Sequence, residues 1–396
     1  MDRSRRPGAV TMASVILPTR DGGLETFEIG PAVAAAQGGA WNRTAYAAAH
    51  VVVDPYADND PWLDCAVDWD RTLAFREHLW SKGFGVAEAM DTAQRGMGMD
   101  WPTSLELIKR SVSLAKSGGH LIACGAGTDH LAPSDASSLD DVIGAYEKQC
   151  EAVEAAGGRI ILMASRALAK VAKSPEDYGT VYGRILGSLK EPAILHWLGE
   201  MFDPALEGYW GDRDHMAAMD TCLGVIADNA SKVDGIKISL LSAEKEVSMR
   251  RRLPKGVRMY TGDDFNYPEL IAGDEQGYSH ALLGIFDPIA TAAAQALSAL
   301  NRGDMAAYNS AFDPTVPLSR HIFKAPTRFY KTGVVFMAYL NGHQDHFTML
   351  GGQQSTRSAQ HLADIVRLAS KAGLFDVPDR AATRAARVFA TYGIGI

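Results

Sequence analysis

One lysine stands inside an otherwise apolar segment of the chain, and its position suits covalent chemistry. The segment reads Val-Asp-Gly-Ile-Lys-Ile-Ser over residues 233–239, with Lys237 close to its end. A buried cation is costly, and desolvation lowers the pKa of an amine. The neutral amine that results can attack a carbonyl carbon and form a Schiff base. The segment alone is equally compatible with a solvated lysine just past the end of a strand.

The elements that must position this lysine follow a repeated pattern of a short apolar strand, a turn and an amphipathic helix. Eight such units lie between residues 50 and 301, which matches the size of a (β/α)8 TIM barrel, an α/β fold. A doubly wound open sheet is the competing architecture, but no GxGxxG turn follows the first predicted strand. The predicted strands cover residues 50–53, 84–90, 120–124, 159–163, 193–196, 233–239, 257–261 and 278–283.

The predicted barrel has an extension on each side. Residues 1–48 form an N-terminal extension in which Asp21-Gly22-Gly23 predicts the turn of a β-hairpin. The barrel itself is assigned to residues 49–302. Residues 303–396 are predicted to form a helical C-terminal extension, which packs on the barrel or at a subunit interface.

In a TIM barrel the active site lies at the C-terminal ends of the strands, so the polar residues there are expected to surround one cavity. An amine, an imidazole, hydroxyls and carboxylates then converge. That set suits carbonyl chemistry, with the lysine as nucleophile and a second group moving protons. The predicted strand-end residues are Asp54, Tyr56, Glu88, Asp91, Thr92, residues 125–130, Ser165, Arg166, His196, Trp197, Lys237, Ser239, Asp263, Asp264 and Asp287.

The composition argues against several classes of protein. The chain has 396 residues, is 47% hydrophobic and carries a net charge of −8, which argues against non-specific nucleic-acid binding. No apolar run approaches the roughly 20 residues that span a bilayer, and no signal-peptide core follows the basic start of the chain. The 4 cysteines are far apart in sequence, so we expect reduced thiols in a cytoplasmic protein that has no membrane partner.

Several segments, in the right order, resemble the dihydrodipicolinate synthase and N-acetylneuraminate lyase superfamily of class I aldolase TIM barrels. Gly-Ile-Lys-Ile-Ser at residues 235–239 is similar to its sixth-strand lysine motif, and Thr-Gly-Asp-Asp at residues 261–264 is similar to its seventh-strand S-G-D-D. Pro-Ala-Ile-Leu-His-Trp at residues 192–197 resembles the fifth-strand P-V-I-L-Y-N, and residues 277–288 resemble the eighth strand. The resemblance covers about residues 50–308 and is that of a divergent bacterial branch.

The resemblance implies that Lys237 forms an imine with a carbonyl substrate. His196 stands where the family has a proton-relay tyrosine, and an imidazole can also move protons near neutral pH. The alternative is that His196 is simply a hydrogen-bonded histidine at the end of a strand.

Two departures from the family pattern concern the substrate. Asp91 and Thr92 lie where the family loop G-T-T-G-E has two threonines, which hold the carboxylate of a 2-oxo acid. An aspartate there would repel that carboxylate. The arginine that dihydrodipicolinate synthases have after the fifth strand is also missing, with Met201 or Phe202 near that place. We therefore expect neither dihydrodipicolinate synthesis nor a plain pyruvate donor.

The expected site has two catalytic residues, Lys237 and His196, and a set of substrate-binding residues: Thr92, Asp91, Glu88, Trp197, Ser239 and Gly262. The substrate is expected to be a small oxygenated carbonyl compound. No organic cofactor is required, and the resemblance implies a homodimer or a homotetramer.

Some of these residues have a second interpretation. Asp91 and Glu88 suit the hydroxyl groups of a sugar-like or polyol-like substrate, but they could instead form structural ion pairs with Arg95 or Arg166. Trp197 could pack at the barrel mouth or form an aromatic wall against a substrate.

Two other functions remain open from the sequence. A metal-dependent lyase or isomerase could use oxygen and imidazole ligands, although no HExxH motif occurs. A barrel that binds a ligand without catalysis is the other possibility. The loop with His343, Asp345 and His346 could likewise bind metal, reach a neighbouring site or merely cap helices. The candidate ligands on the barrel are Glu88, Asp91, Asp129, His130, His196 and Asp264.

Overall fold

The computed structural model describes residues 13–33 and 39–395, and its centre is a closed barrel of eight parallel strands. The strands pair in chain order, and the last one closes the barrel by pairing with the first. The prediction of a TIM barrel is therefore confirmed. The barrel strands are β3 Ala45–Ala48, β4 Gly85–Glu88, β5 Ile122–Ala126, β6 Arg159–Met163, β7 Ala193–Leu198, β8 Val233–Ser239, β9 Arg258–Thr261 and β10 His280–Leu283.

Helices follow the strands around the barrel and continue into the C-terminal extension. Side-chain caps begin several of them; α3, for example, starts with a capping box between Ser138 and Asp141. None of the described helices is both long enough and apolar enough to cross a bilayer. The helices are α1 Trp69–Ser81, α2 Trp101–Gly118, α3 Leu139–Ala156, α4 Arg166–Val171, α5 Pro175–Ser188, α6 His215–Asp228, α7 Ala243–Arg252, α8 Tyr267–Ala272, α9 Ala290–Asn301, α10 Met305–Phe312, α11 Val316–Ile322, α12 Tyr330–Asn341, α13 Ala359–Lys371 and α14 Pro378–Ala390.

The first barrel strand lies earlier than the sequence predicts. Residues 50–53 were assigned to it, but the strand is Ala45–Ala48, which pairs with β4 and β10. The run from residue 45 to residue 53 is almost entirely apolar, so periodicity does not locate the strand within it, and the β-branched valines at its end mislead. The barrel therefore begins before residue 49. Asp54 and Tyr56 lie well beyond the strand end, and Tyr56 is 94% exposed.

The N-terminal hairpin is formed by β1 Ser14–Pro18 and β2 Leu24–Glu28, which pair antiparallel as predicted. It lies against the C-terminal extension, because Arg367 of α13 binds the Glu25 carboxylate at 2.8 Å and the Pro18 carbonyl at 2.6 Å. Residues 1–12 and 34–38 of the predicted extension lie outside the described residues.

The C-terminal extension packs on the barrel mouth. Ser319 of α11 donates a hydrogen bond to the carbonyl of Asp264, which follows β9. The Tyr330 hydroxyl, at the start of α12, shares a 2.8 Å hydrogen bond with Thr92, which follows β4. Phe202, in the loop after β7, has its ring 5.9 Å from that of Tyr330. We call α11 and α12 the cap, since they cover the ends of the strands where chemistry is expected.

A buried ion pair fastens α1 to the barrel. The Arg76 guanidinium makes two hydrogen bonds with the Glu88 carboxylate, at 2.9 and 2.8 Å, and both side chains are fully buried. Burial alone would raise the pKa of Glu88, but Arg76 and further hydrogen bonds outweigh it and hold the pKa below its ordinary value. Arg76 also donates to the carbonyl of His50. The carboxylate at the end of β4 therefore serves to position α1 and the loop after β3.

Replacement of Glu88 by glutamine should leave the Arg76 charge buried without its anion. We expect a loss of about 3–5 kcal/mol in the free energy of unfolding, measured by urea denaturation. The double variant Arg76→Met/Glu88→Met should lose less than the single variant, since no charge is left buried. A Glu88→Gln protein that unfolds at the wild-type urea concentration would contradict this account.

Candidate active site

The amine of Lys237 lies inside the barrel, on β8. The residue is 7% exposed and is the cross-strand neighbour of His196 on β7. Burial lowers the pKa of Lys237, and the charges of Asp264 and Asp91 oppose that shift only in part. Within the described part of the chain, neither carboxylate forms a salt bridge with this amine. The neutral, nucleophilic form of the lysine is therefore favoured relative to a lysine in water.

Space for the lysine comes from a glycine on the next strand end. A side chain at Gly262 would put its Cβ 2.7 Å from Lys237 Cε and 2.5 Å from Ser239 Oγ. Both distances are far below a normal van der Waals contact. Any residue other than glycine would therefore force the Lys237 side chain out of its present conformation. Gly262 and Ser239 thus lie beside the amine, as the sequence predicts.

His196 is a neutral imidazole between the amine and open space. It is 1% exposed, and burial, followed by the charge of Lys237, holds its pKa well below the ordinary value. Its Nε2 lies 3.3 Å from Ser239 Oγ, and its Nδ1 has no hydrogen-bond partner among the described residues. A neutral ring with one unsatisfied nitrogen can accept a proton from a bound molecule.

Asp264, which the sequence places among the strand-end residues and the candidate metal ligands, is buried where the charge of Lys237 acts on it. Burial raises its pKa to about 7, and the charge of Lys237 moderates the shift. Its Oδ1 accepts a 2.9 Å hydrogen bond from the amide of Ile285. The neighbouring Asp263 does stabilise the loop, since it accepts hydrogen bonds from the amides of Phe265 and Asn266 at 2.8 and 3.0 Å. Because the two aspartates are adjacent, the sequence does not show which one is the buried acid that interacts with the lysine and which one stabilises the loop.

Asp91 and Thr92 lie in a short 3-10 helix, Asp91–Ala93, that follows β4. The hydroxyl of Thr92 is buried and bonded to Tyr330 of the cap. Tyr330 stacks on Phe323, with ring centroids 4.4 Å apart, and burial raises its pKa well above the ordinary value. The phenol is therefore a protonated hydroxyl at the barrel mouth. Sequence reasoning missed it because it lies 238 residues from Thr92 along the chain.

A cleft opens beside these residues. Its wall includes Asp91 and His196, together with Thr128, Met163, Arg166 and Leu198. His196 thus lies between the cleft and Lys237. Of the two carboxylates predicted to bind substrate, Asp91 and Glu88, Asp91 lines the cleft.

The two arginines considered as partners for Asp91 and Glu88 are paired elsewhere. Arg95 binds the Asp129 carboxylate at 2.7 Å, and Arg166 binds the Asp203 carboxylate at 2.5 Å. Glu88 is instead held by Arg76, as described above. This leaves Asp91, among the described residues, without a salt bridge.

Trp197 points away from the cleft. Successive residues of a strand face opposite sides, so the ring of Trp197 lies outside the barrel when His196 points inward. It is 2% exposed and packs near Trp210 and His215, with ring centroids 6.3 and 6.0 Å away. The structure therefore places Trp197 as a packing residue between the barrel and its surrounding helices.

The candidate metal ligands do not converge. Among the described residues, no three His, Cys, Asp or Glu side chains form a group that could hold a metal ion. The loop residues point to different partners: His343 packs against Phe75 at 4.9 Å, Asp345 pairs with Arg384 at 2.8 Å, and His346 bonds to the Thr348 hydroxyl at 2.6 Å. These contacts support the interpretation of that loop as structural.

Replacement of Gly262 by alanine should displace the lysine and also press on β8, because the new Cβ would lie 2.5 Å from the Ile238 carbonyl oxygen; thermal melting identifies the temperature range in which the variant is folded. We expect reductive methylation of Lys237 by formaldehyde and borohydride to slow about tenfold or more, since small misplacements of reacting groups have large effects. Peptide mass spectrometry measures the labelling. Gly183→Ala is the matched control, because a side chain there meets nothing within 4 Å and α5 tolerates alanine. Equal labelling of both variants would contradict the proposed crowding.

Comparison with solved structures places the barrel among known folds. The structure resembles dihydrodipicolinate synthase from Aquifex aeolicus, with a TM-score of 0.64 and 11% identity over 84% of this chain and 99% of that one. It also resembles 4-hydroxy-tetrahydrodipicolinate synthase from Methylacidiphilum fumariolicum, with a TM-score of 0.61 and 15% identity over 83% and 95% of the two chains. A third similar structure is dihydrodipicolinate synthase from Oceanobacillus iheyensis, with a TM-score of 0.57 and 15% identity over 78% and 90%.

At such identities the resemblance establishes a shared fold, and it agrees with the superfamily suggested by the strand motifs. No curated protein matches the chain in sequence. A family model does match, from residue 15 to residue 394. The chain therefore belongs to the family described as protein of unknown function DUF993, and its barrel shares the fold of the dihydrodipicolinate synthase structures.

Proposed function

We propose that this protein is a Schiff-base, or class I, aldolase or lyase that acts on a small oxygenated carbonyl compound. One observation carries the proposal: Lys237 is a buried amine on the sixth barrel strand, next to a neutral imidazole that faces a cleft. Burial lowers the pKa of that amine and so enriches the form that attacks carbonyl carbon. The shared fold with dihydrodipicolinate synthases supports the same chemistry.

The reaction begins with attack of the Lys237 nitrogen on the carbonyl carbon. The carbinolamine that forms takes up a proton on its oxygen and loses water, which leaves an iminium ion. The positive nitrogen then accepts the electron pair of the breaking carbon–carbon bond, and an enamine results. A base removes the hydroxyl proton from the departing half, which leaves as a carbonyl compound. Protonation of the enamine carbon and hydrolysis by water release the second product and restore the amine.

His196 is proposed to move the protons in these steps. It lines the cleft and lies beside the amine, its imidazole is neutral, and its Nδ1 has no hydrogen-bond partner among the described residues. Asp264 assists, since a carboxyl group with a pKa of about 7 next to the lysine can take up or release the proton that the amine exchanges.

Asp91, Thr92 and Ser239 are proposed to position the substrate. Asp91 lies on the cleft wall without a salt bridge among the described residues, which suits acceptance of hydrogen bonds from substrate hydroxyls. Its charge disfavours a carboxylate directly beside the carbonyl carbon, so dihydrodipicolinate synthesis from pyruvate is not the proposed reaction. A hydroxylated carbonyl compound fits better.

We further propose a homodimer or homotetramer in the cytoplasm. The assembly follows from the resemblance to the aldolase superfamily. The location is supported by the cysteines, since all of them are unpaired and Cys124, Cys150 and Cys222 are buried, as is common in a reducing compartment.

Borohydride should trap the imine on Lys237. When the protein is reduced in the presence of glycolaldehyde, dihydroxyacetone or pyruvate, we expect a mass increase on the peptide that contains Lys237 for at least one compound. Lys237→Met should remove that label. Lys232→Met is the matched control, because Lys232 precedes the same strand and donates to the Leu189 carbonyl at 2.5 Å, at the far end from the cleft. The absence of any label across the panel would favour a non-catalytic or metal-dependent barrel.

His196 should be replaceable by another proton carrier but not by an apolar ring. The compound that labels Lys237 should also exchange deuterium from D2O at the carbon next to its carbonyl group. We expect His196→Phe to slow this exchange by about 10²–10⁴-fold, the usual contribution of a general base. His196→Tyr should retain a much larger share of that rate. NMR measures the exchange, with imine trapping on Lys237 as the test that the site is intact. If His196→Phe exchanged deuterium at the wild-type rate, His196 would have no role in the proton transfers.

A further inference from the structure

We propose that the cap side of the cleft binds an oxyanionic group of the substrate, a carboxylate or a phosphate, through Arg166 and Lys331. This inference rests on the proposed Schiff-base function and narrows its substrate class. The substrate would carry its carbonyl group at one end and its oxyanion at the other.

Arg166 is the cleft arginine with donors to spare. Its Nε is held by Asp203 at 2.5 Å, and no acceptor for its Nη1 or Nη2 occurs in the described part of the chain. The side chain is 42% exposed and lines the cleft. Arg95 differs, since it is 1% exposed and its nitrogens bind Asp129, Gln149 and backbone carbonyls. A guanidinium that one carboxylate orients and whose outer edge is free suits bidentate recognition of an oxyanion.

Lys331 is a buried cation without an anion of its own. It belongs to the first turn of α12 and is 4% exposed. Its Nζ donates to the Arg328 carbonyl at 3.1 Å and lies 3.4 Å from Met97 Sδ, which is a weak acceptor. No salt bridge to Lys331 occurs among the described residues. An ammonium has three donors, and a desolvated one is costly unless an anion compensates it.

The two cations lie in one neighbourhood. Burial lowers the pKa of Lys331 to about 8, and the charges that act on it include those of Asp91, Asp203 and Arg166, all on the cleft wall. A side chain at Gly96 would come within 3.5 Å of Arg166 Nη1, and the next residue is the Met97 that contacts Lys331. The short segment 96–97 thus lies against both side chains.

The positions of Asp91, Lys331 and Arg166 indicate how the substrate is oriented in the cleft. Asp91 lines the cleft, and its charge acts on the pKa of Lys331 and also on that of Lys237. A molecule whose carbonyl carbon reaches Lys237 would pass its hydroxyl groups along Asp91 and place its far end near Lys331 and Arg166. The substrate class is therefore a short hydroxylated carbonyl compound with a terminal carboxylate or phosphate, distant from the carbonyl group.

Trapping rates on Lys237 test this assignment. The probes are two matched pairs, glyceraldehyde with glyceraldehyde 3-phosphate, and butanal with 4-oxobutanoate, each compared at equal low concentration. We expect the anionic member of at least one pair to label Lys237 about tenfold faster or more, since charge-assisted hydrogen bonds have that effect on affinity. A preference in the glyceraldehyde pair indicates that the subsite binds phosphate, and a preference in the butanal pair indicates that it binds carboxylate.

Variants connect the preference to the two cations. Arg166→Gln and Lys331→Met should each reduce the ratio of anionic to neutral labelling about tenfold, whereas Lys331→Arg should keep most of it. Arg184→Gln is the control, since Arg184 is 66% exposed and pairs with Glu147 on the outside of the barrel. Thermal melting confirms that each variant is folded. A ratio near one in the wild type, or a ratio that both substitutions leave unchanged, would overturn the inference.

Binding of inorganic phosphate separates this inference from the proposed function, because it requires no imine. Calorimetry should detect phosphate on the wild type and not on Arg166→Gln/Lys331→Met. The affinity should fall as the pH rises through about 8, where Lys331 loses its charge. If phosphate binds in this way but no carbonyl labels Lys237, the subsite stands and the Schiff-base function fails. If neutral aldehydes label Lys237 and phosphate does not bind, the subsite is wrong and the imine chemistry stands.

Discussion

Desolvation of the Lys237 amine is the constraint that governs the candidate site. A lysine in water is a cation and a poor nucleophile, and removal from water without an adjacent salt bridge shifts it toward the neutral form. The barrel supplies that environment by surrounding the amine with β7 and β9, and Gly262 supplies the space that the side chain occupies. His196 beside it is itself held neutral, because burial and the charge of the lysine lower the pKa of its imidazole.

The distribution of the other charges supports this environment. Glu88 and Asp129 would disturb a lysine nearby, yet each is held by an arginine, Arg76 and Arg95 respectively. Paired charges exert weaker fields than isolated ones, so the electrostatics near the amine are left to Asp264 and Asp91. Burial raises the pKa of Asp264 to about 7, so a substantial share of this carboxyl is protonated near neutral pH, which limits how strongly it can restore the charge of the lysine.

The cap packs on the barrel mouth beside the candidate site. Tyr330 binds Thr92 and Ser319 binds the backbone of Asp264, so the cap is attached to two different strand ends. It also brings Lys331, a cation that no barrel strand provides. Exclusion of water strengthens every charged contact inside a site, because the local dielectric constant falls. The C-terminal extension is therefore part of the candidate site, although the barrel alone carries the lysine.

Local patterns in the sequence determined the barrel, the strand of Lys237 at residues 233–239 and helices such as α3, because apolar periodicity and capping residues act within a few positions. The same reasoning missed the first strand, where a continuous apolar run leaves the register to the pairing of β3 with β4 and β10. Only the tertiary structure decided that Glu88 pairs with Arg76, that Asp264 is buried near enough to Lys237 for their charges to interact, and that Tyr330 of the cap binds Thr92. Burial and ion pairing depend on residues that meet after folding, and their distance along the chain leaves no local trace.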